Sequence, residues 1–261
     1  MNRLEITPVS GALGAEIRGM DLRAGLTTEQ LGELRSLLLE HLVLFFPGQH
    51  LSPSEQRRFA GAFGELERSW NHGGIDDEHP EISELSSARG TIADVWHCDQ
   101  SYLPAPNALG SLNMVTAPPR GGDTIWSNQY LVYERLSAPF RRMLDGLTAV
   151  HTSVGDAAKS ARHPAVMVHP ETGRRTLFIS THHVAEFVEL DRDESRSVLQ
   201  HLASRSSQPE VTCRYRWQEG TVNIWDNRCT QHYAVNDYDG LRVMHRATVK
   251  AVAPVASPVR S

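Results

Sequence analysis

The sequence predicts a mainly β fold with accessory helices, most simply a double-stranded β-helix, or jelly roll. Beyond residue 64, most of the chain consists of short apolar runs separated by turn residues such as Pro118-Pro-Arg-Gly-Gly122 and Asp239-Gly240. Helical patterns are few and do not alternate regularly with the strands, which argues against a parallel α/β sheet. The 261 residues suit one large β core, so we expect a single domain over 1–252 and a disordered tail at 253–261.

Two helices are predicted in the N-terminal quarter of the chain. Thr27-Thr-Glu-Gln30 is a capping box, and leucines follow it at helical spacing as far as Leu42. The apolar run Val43–Phe46 then predicts a buried strand. Ser52-Pro-Ser-Glu55 is a second capping box with proline at the first helical position, and its helix extends to about Phe63.

The rest of the chain is predicted as strands, interrupted by helical stretches at about Leu131–Asp145 and Asp191–Ala203. Each predicted strand is a short apolar or alternating run bounded by polar or turn residues. The predicted strands are Ile82–Leu85, Trp96–Asp99, Leu109–Val115, Thr124–Ser127, Leu147–Val154, Ala165–His169, Thr176–Ser180, Val211–Trp217, Thr221–Trp225 and Leu241–Val249.

Composition excludes several classes of partner. The net charge of −5 provides no general attraction to nucleic acid or to an anionic membrane. No apolar run reaches the roughly 20 residues of a membrane-spanning helix. Cys98, Cys213 and Cys229 are odd in number and never spaced as Cys-x-x-Cys, which argues against a disulfide framework or a structural zinc site. We therefore expect a cytoplasmic protein without nucleic-acid or membrane partners.

The most informative feature is the triplet His97-Cys-Asp99 together with the distant His232. Two histidines and one carboxylate form the facial ligand set of non-haem Fe(II), which leaves the opposite positions open for O2. Because side chains alternate along a strand, His97 and Asp99 would share a face while Cys98 is turned away. The chain has 13 histidines, so the triplet is weak support by itself, and the assignment depends on what accompanies it.

Two arginines on the predicted strand Leu241–Val249 supply that support. Arg242 and Arg246 are four residues apart and therefore share one face of the strand. A site for the dianion 2-oxoglutarate needs a cation for the distal carboxylate, and the planar, permanently charged guanidinium suits it best. One arginine would hold that carboxylate and the other a second anionic group nearer the metal. The pattern leaves open whether this face lines a cavity or meets water.

Several blocks of sequence accompany these residues in a fixed order. They are Gly11-Ala-Leu-Gly-Ala-Glu16, Leu44-Phe-Phe-Pro-Gly-Gln49, Trp96-His-Cys-Asp99, Pro118-Pro-Arg-Gly-Gly-Asp-Thr-Ile-Trp126, Trp225-Asp-Asn-Arg-Cys-Thr-Gln-His-Tyr-Ala234 and Met244-His-Arg-Ala-Thr248. From about residue 4 to residue 250, the chain resembles the taurine dioxygenase/2,4-dichlorophenoxyacetate dioxygenase family of Fe(II)/2-oxoglutarate-dependent dioxygenases.

The resemblance implies a role for each candidate residue. The implied Fe(II) ligands are His97, Asp99 and His232. Thr124 and Arg242 would bind the distal carboxylate of 2-oxoglutarate. Arg246 would complete the cofactor site and meet the acidic group of the substrate beside the metal. Members of the family are often dimers or tetramers, so a homo-oligomer is also implied.

Departures from the family pattern concern the primary substrate. The segment Val154–His163 is shorter than the lid that the family usually carries there. Ala93 stands where the taurine-binding pattern has a polar amide, and a histidine is displaced from beside Trp70 to His72. Taurine is therefore not expected to be the substrate. The candidate substrate contacts, besides Arg246, are His72, Tyr102 and Phe178.

We therefore expect a dioxygenase that hydroxylates a small anionic organic molecule, such as a sulfonate, a sulfate ester or a carboxylate, and forms succinate and CO2. Hydroxylation beside a C–S or C–O bond would lead to cleavage of that bond. The first alternative is the same chemistry applied to an amino-acid or natural-product intermediate, for hydroxylation or desaturation. The second is a metal-binding jelly roll without turnover, which would need neither Thr124 nor the two arginines.

Overall fold

A computed structural model describes residues 4–68, 73–90 and 93–251 of the chain. The expected tail at 253–261 and the candidate contact His72 lie outside the described residues. The strands are β1 (Glu5–Pro8), β2 (Ala15–Arg18), β3 (Val43–Phe46), β4 (Ser83–Ser86), β5 (Leu109–Thr116), β6 (Thr124–Asn128), β7 (Thr148–Ser153), β8 (Asp156–Pro164), β9 (Val166–Val168), β10 (Arg175–Leu177), β11 (Val184–Phe187), β12 (Thr212–Tyr215), β13 (Val222–Asp226), β14 (Thr230–Ala234) and β15 (Val243–Val249). The α-helices are α1 (Thr28–His41), α2 (Pro53–Gly61), α3 (Gln129–Glu134), α4 (Ala138–Leu144) and α5 (Arg192–Ser206).

Two facing sheets form the centre of the molecule. The larger sheet has the strand order β1-β2-β3-β13-β5-β15-β4, and the smaller has the order β12-β6-β14. Aromatic side chains from both sheets fill the space between them: Phe45 of β3 stacks on Tyr215 of β12 with ring centroids 3.8 Å apart, and Trp126 and Trp225 are fully buried. Such packing of two mainly antiparallel sheets around one core is the jelly roll that the sequence predicted.

The two N-terminal helices cover the outer face of the larger sheet. Leu34 and Leu38 of α1 and Phe59 of α2 share a buried cluster with Phe46 and Ile224. Both predicted capping boxes are present, one at Thr27 and one at Ser52, so the backbone N–H groups at each helix start are satisfied locally. The outer face of the sheet is therefore buried, and the inner face is left for the site.

The helix predicted over Leu131–Asp145 is wrong as one element, because the structure divides it into α3 and α4. Pro139 lies in the first turn of α4, two residues after the N-cap Ser137. In the middle of a longer helix this proline would remove a hydrogen bond and clash with the preceding turn, whereas in a first turn it costs little.

The segment Val154–His163, which is shorter than the lid that the family usually carries there, belongs to a β-hairpin. Strand β8 pairs with β7, and the two-residue turn Val154-Gly155 joins them between the paired residues Ser153 and Asp156. Gly155 has a φ of 91°, a left-handed conformation that glycine adopts without strain. Strand β8 thus belongs to a separate three-stranded sheet with β7 and β11.

The strand predicted to carry both arginines is β15, which lies between β5 and β4 and begins at Val243 instead of Leu241. It therefore contains Arg246, whereas Arg242 directly precedes it, and the prediction that both arginines lie on this strand is wrong for Arg242. Its outer face packs on α2: the Gln56 side chain donates to the His245 carbonyl at 3.1 Å, and Ala247 contacts Ala60. The face that carries Arg246 consequently points between the two sheets. The tertiary structure thus decides the question that the strand pattern left open.

We predict that Gly110→Ala destabilises the protein strongly. Gly110 pairs across the strands with Trp225, and a Cβ atom at this position would lie 2.1 Å from the indole ring. Because Trp225 is fully buried and cannot move away, the overpacking should cost about 1–3 kcal/mol of unfolding free energy, measured by urea denaturation.

Gly32→Ala is the matched control, since nothing lies within 4 Å of a Cβ there and the residue is exposed within α1. It should stabilise the protein by about 0.5–1 kcal/mol through helix propensity. Equal effects of the two substitutions would contradict the packing assigned to Trp225.

Candidate active site

Backbone hydrogen bonds join two ligand candidates that are distant in sequence, His97 and His232. The His97 N–H donates to the His232 carbonyl at 3.0 Å, and the His232 N–H donates to the His97 carbonyl at 2.8 Å. His232 lies on β14, a strand that sequence analysis did not delimit, and β14 pairs with β6 along its whole length. The predicted strand Trp96–Asp99 is wrong as a strand, because the structure has only this isolated bridge at His97. The bridge suffices to place the two histidines side by side.

The three side chains converge on one point. Nε2 of His97 lies 3.6 Å from Oδ1 of Asp99, and Nε2 of His232 lies 3.8 Å from the same oxygen. The three ligand atoms all lie within 4.8 Å of one another, and all three residues are buried. Cys98 points away, with its thiol 3.3 Å from the Thr230 carbonyl, as the alternation of side chains predicted.

The charges suit a divalent cation. Burial alone would raise the pKa of Asp99, but the Arg246 guanidinium, 3.6 Å from Oδ1, and the two histidines hold it well below its ordinary value. Burial, reinforced by neighbouring His97, lowers the pKa of His232 to about 3. At neutral pH the pocket therefore presents an ionised carboxylate beside a neutral imidazole, which is the protonation state in which both groups bind a metal.

Two further details fit metal binding. Nδ1 of His97 lies 2.8 Å from the Val95 carbonyl, and a hydrogen bond donated there leaves Nε2 free as a ligand. Oδ2 of Asp99 is buried and has no hydrogen-bond partner among the described residues. An orphaned carboxylate oxygen of this kind is costly unless a cation or a proton donor occupies the space beside it.

A cavity of about 110 Å³ lies beside these side chains, and we call it the metal cavity. Its lining includes all six residues that the sequence singled out for metal and cofactor: His97, Asp99, Thr124, His232, Arg242 and Arg246. Trp217 donates from Nε1 to the Thr124 hydroxyl at 2.9 Å, so the hydroxyl oxygen already accepts one hydrogen bond. Its own proton is left to donate to an acceptor in the cavity.

Arg242 is held in place by contacts other than an ion pair with a described carboxylate. Its Nε donates to the Gly122 carbonyl at 3.0 Å, and its guanidinium lies 5.8 Å from the Tyr238 ring centroid. Among the described residues no carboxylate lies within ion-pair distance of Arg242, and burial lowers its pKa. An unpaired, half-buried guanidinium next to a free hydroxyl is a receptor for a carboxylate.

The Pro118–Gly122 turn adjoins both Thr124 and Arg242. It ends two residues before Thr124, and its last residue supplies the carbonyl that holds Arg242. Gly122 has a φ of 71°, and a Cβ there would lie 3.2 Å from Cδ of Arg242. A side chain would therefore be strained and would crowd the arginine.

The structure separates two of the candidate substrate contacts, Phe178 and Tyr102, from the metal cavity, which Arg246 does line. Phe178 is 2% exposed, packs between His151 and His163, and lines a second cavity of about 470 Å³. The two cavities share no lining residue in the part of the chain that is described. Tyr102 is also buried, with its ring 5.1 Å from His183, and does not line the metal cavity. Ala93, the departure from the taurine pattern, does line it.

Sequence analysis missed the residues that hold the site residues or their neighbours in position by hydrogen bonds. Trp217 orients Thr124, and the Ser180 hydroxyl accepts from the Cys98 N–H at 3.1 Å. Asn227 makes hydrogen bonds to the backbone of Asp99 on both sides. A signal existed for Asn227, which lies in the block Trp225–Ala234, but no local pattern connects Trp217 or Ser180 to the site.

Comparison with known proteins identifies the family of the chain. Residues 5–248 match the family described as taurine catabolism dioxygenase TauD, TfdA family. The chain is 35% identical to an alkylsulfatase from Acinetobacter baylyi, over 95% of this chain and 85% of that protein. It is 34% identical to an α-ketoglutarate-dependent sulfate ester dioxygenase from Pseudomonas putida, over 97% and 91% of the two chains.

The fold has a close counterpart as well. The crystal structure of a taurine dioxygenase from Burkholderia xenovorans superposes with a TM-score of 0.91 at 36% identity, covering 98% of this chain and 92% of that one. The predicted jelly roll is thereby confirmed. The chain belongs to the TauD/TfdA family and is an oxidoreductase of the α-ketoglutarate-dependent dioxygenase class.

Proposed function

We propose that the protein is a non-haem Fe(II) dioxygenase in which His97, Asp99 and His232 bind the metal. The observation that carries the proposal is the convergence of these three side chains beside a cavity that also holds Thr124 and Arg242. When bound, Fe(II) supplies the redox chemistry that couples O2 and 2-oxoglutarate to hydroxylation of a C–H bond, with succinate and CO2 as products.

The residues of this chain provide binding and orientation. Arg242 pairs with the distal carboxylate of 2-oxoglutarate, and the Thr124 hydroxyl donates to it. Arg246, 3.6 Å from Asp99, lies where an anionic group of the substrate would enter beside the metal. A substrate held by its anion has its adjacent carbon fixed near the reacting centre, which is the entropic part of catalysis.

A sulfate ester is the substrate class that we favour. The two relatives with sulfate-ester names cover nearly the whole chain, and Arg246 offers the charge that a sulfate needs. Hydroxylation of the carbon that bears the ester oxygen gives R–CH(OH)–OSO3⁻, which collapses to an aldehyde and hydrogen sulfate. A sulfonate or carboxylate would bind in the same way, and natural-product hydroxylation is the alternative.

A cytoplasmic location and a homo-oligomer are part of the proposal. All three cysteines are free and buried, as suits a reducing compartment, and burial raises the pKa of Cys213 to about 12. Among the described residues, no helix is both long and apolar enough to span a membrane.

Asp99→Ala should abolish succinate formation from 2-oxoglutarate in the presence of Fe(II) and ascorbate. Loss of the only carboxylate in the ligand set leaves two histidines, which bind a divalent cation weakly by themselves. Asp156→Ala, on the exposed hairpin, is the control and should retain full activity. Full turnover by the Asp99 variant would rule out the ligand assignment.

Arg242→Ala should raise the KM for 2-oxoglutarate about 10- to 100-fold, since a charge-assisted hydrogen bond contributes about 1.5–3 kcal/mol. The KM for the primary substrate should change much less. Arg214→Ala is a nearby control, because Arg214 pairs with Asp123 and Asp237 outside the lining of the metal cavity. If the KM for the primary substrate rises instead and that for 2-oxoglutarate changes little, the distal carboxylate of 2-oxoglutarate is bound by Arg246.

Among sulfate esters, sulfonates, aryloxyalkanoates and amino acids, we expect alkyl sulfates to give the highest rate of succinate formation, with sulfate released in equal amount. Taurine should be poor, because Ala93 lines the cavity and its side chain offers no hydrogen bond to a bound substrate. Rapid release of sulfite from taurine would contradict this assignment.

A further inference from the structure

The triplet His97-Cys-Asp99 is not part of a sheet, so strand pairing does not fix the backbone of Asp99. Paired backbone hydrogen bonds reach His97 and stop there. A strand would have continued the pairing two residues further, with one bond to the Asp99 N–H and one to its carbonyl. Backbone groups buried beside a metal site need partners of some kind.

The side chain of Asn227 supplies both bonds. The Asp99 N–H donates to Oδ1 of Asn227 at 2.9 Å, and Nδ2 of Asn227 donates to the Asp99 carbonyl at 3.0 Å. The second proton of Nδ2 goes to the Asn107 carbonyl at 3.0 Å. A carboxamide has the same donor and acceptor as a peptide group, so Asn227 bonds Asp99 as a neighbouring strand would.

Asn227 is itself held rigidly. It follows β13 directly, it is fully buried, and its own N–H donates to the Ala108 carbonyl at 2.9 Å. The central strand of the larger sheet thereby determines where Asp99 lies relative to His232 on the smaller sheet. Oδ2 of the Asp99 carboxylate, by contrast, has no hydrogen-bond partner among the described residues.

We propose that Asn227 is a positioning residue that preorganises Asp99 for the metal. By fixing the Asp99 backbone from both sides, it aims the carboxylate at the two histidines before any cation binds. The inference depends on the proposed metal role of Asp99. Residues that orient a metal ligand typically change metal affinity by about 10- to 100-fold when they are removed.

Binding of Mn(II) tests the proposal without turnover, since this ion is stable to air and accepts the same nitrogen and oxygen ligands. The dissociation constant is obtained from the electron paramagnetic resonance signal of free Mn(II). Asn227→Ala should weaken binding about 10- to 100-fold. In Asn227→Ser the hydroxyl can replace one of the two bonds to Asp99, so its dissociation constant for Mn(II) should lie between those of the alanine variant and the parent. This variant provides the test if the alanine variant does not fold.

Asn128→Ala is the matched control for a purely structural role. Asn128 is also buried, and its amide also bonds backbone on both sides, donating to the Ala12 carbonyl at 2.7 Å and accepting from the Leu131 N–H at 3.1 Å. It does not line the metal cavity. We expect both alanine variants to lower the melting temperature, but only the Asn227 variant to change the dissociation constant for Mn(II).

A dissociation constant within twofold of the parent for folded Asn227→Ala or Asn227→Ser would overturn the proposal. Asp99→Ala in the same assay separates this failure from failure of the proposed function. If Asp99→Ala binds Mn(II) like the parent, the metal assignment is wrong. If it loses Mn(II) while the Asn227 variants do not, only the positioning role is wrong.

Discussion

The paired backbone hydrogen bonds between His97 and His232 are the constraint on which the site depends. They join a segment outside any sheet to β14, and β14 is held along its length by β6. Both histidine rings lie on the same side of this bridge, with centroids 4.1 Å apart. The aromatic core between the sheets supports the arrangement, since the Trp225 ring packs against His232 and needs Gly110 opposite it.

Most of the ionisable groups of the site are compensated or neutral in the absence of a ligand. Asp99 is compensated by Arg246, and His232 is kept neutral by burial. Arg242 is the exception, since no described carboxylate pairs with it. The cavity is thus suited to one cation bound by the facial residues and one dianion that reaches from the cation to Arg242. The two ligands would stabilise each other, because each neutralises charge that the other brings into a region of low polarity.

Specificity for the primary substrate depends on what surrounds this common centre. The segment Val154–His163 is a hairpin, and none of its residues lines the metal cavity in the part of the chain that is described. Phe178 faces a different cavity. Beside Arg246, the cavity is lined by the small apolar Ala93 and by the polar Asn236 and Tyr238.

Local chemistry in the sequence determined the capping boxes of α1 and α2, most of the strands, the three candidate metal ligands and the two arginines. These follow from short-range rules, since a cap, a strand alternation or a ligand type is readable within a few residues. Thr124 was identified only through the resemblance to the family. Only the tertiary structure decided that Arg246 faces inward, that Trp217 orients Thr124, and that Asn227 replaces a strand beside Asp99. The reason is that each of these depends on which residues, distant in sequence, the two sheets bring into hydrogen-bonding distance, and no local pattern encodes that distance.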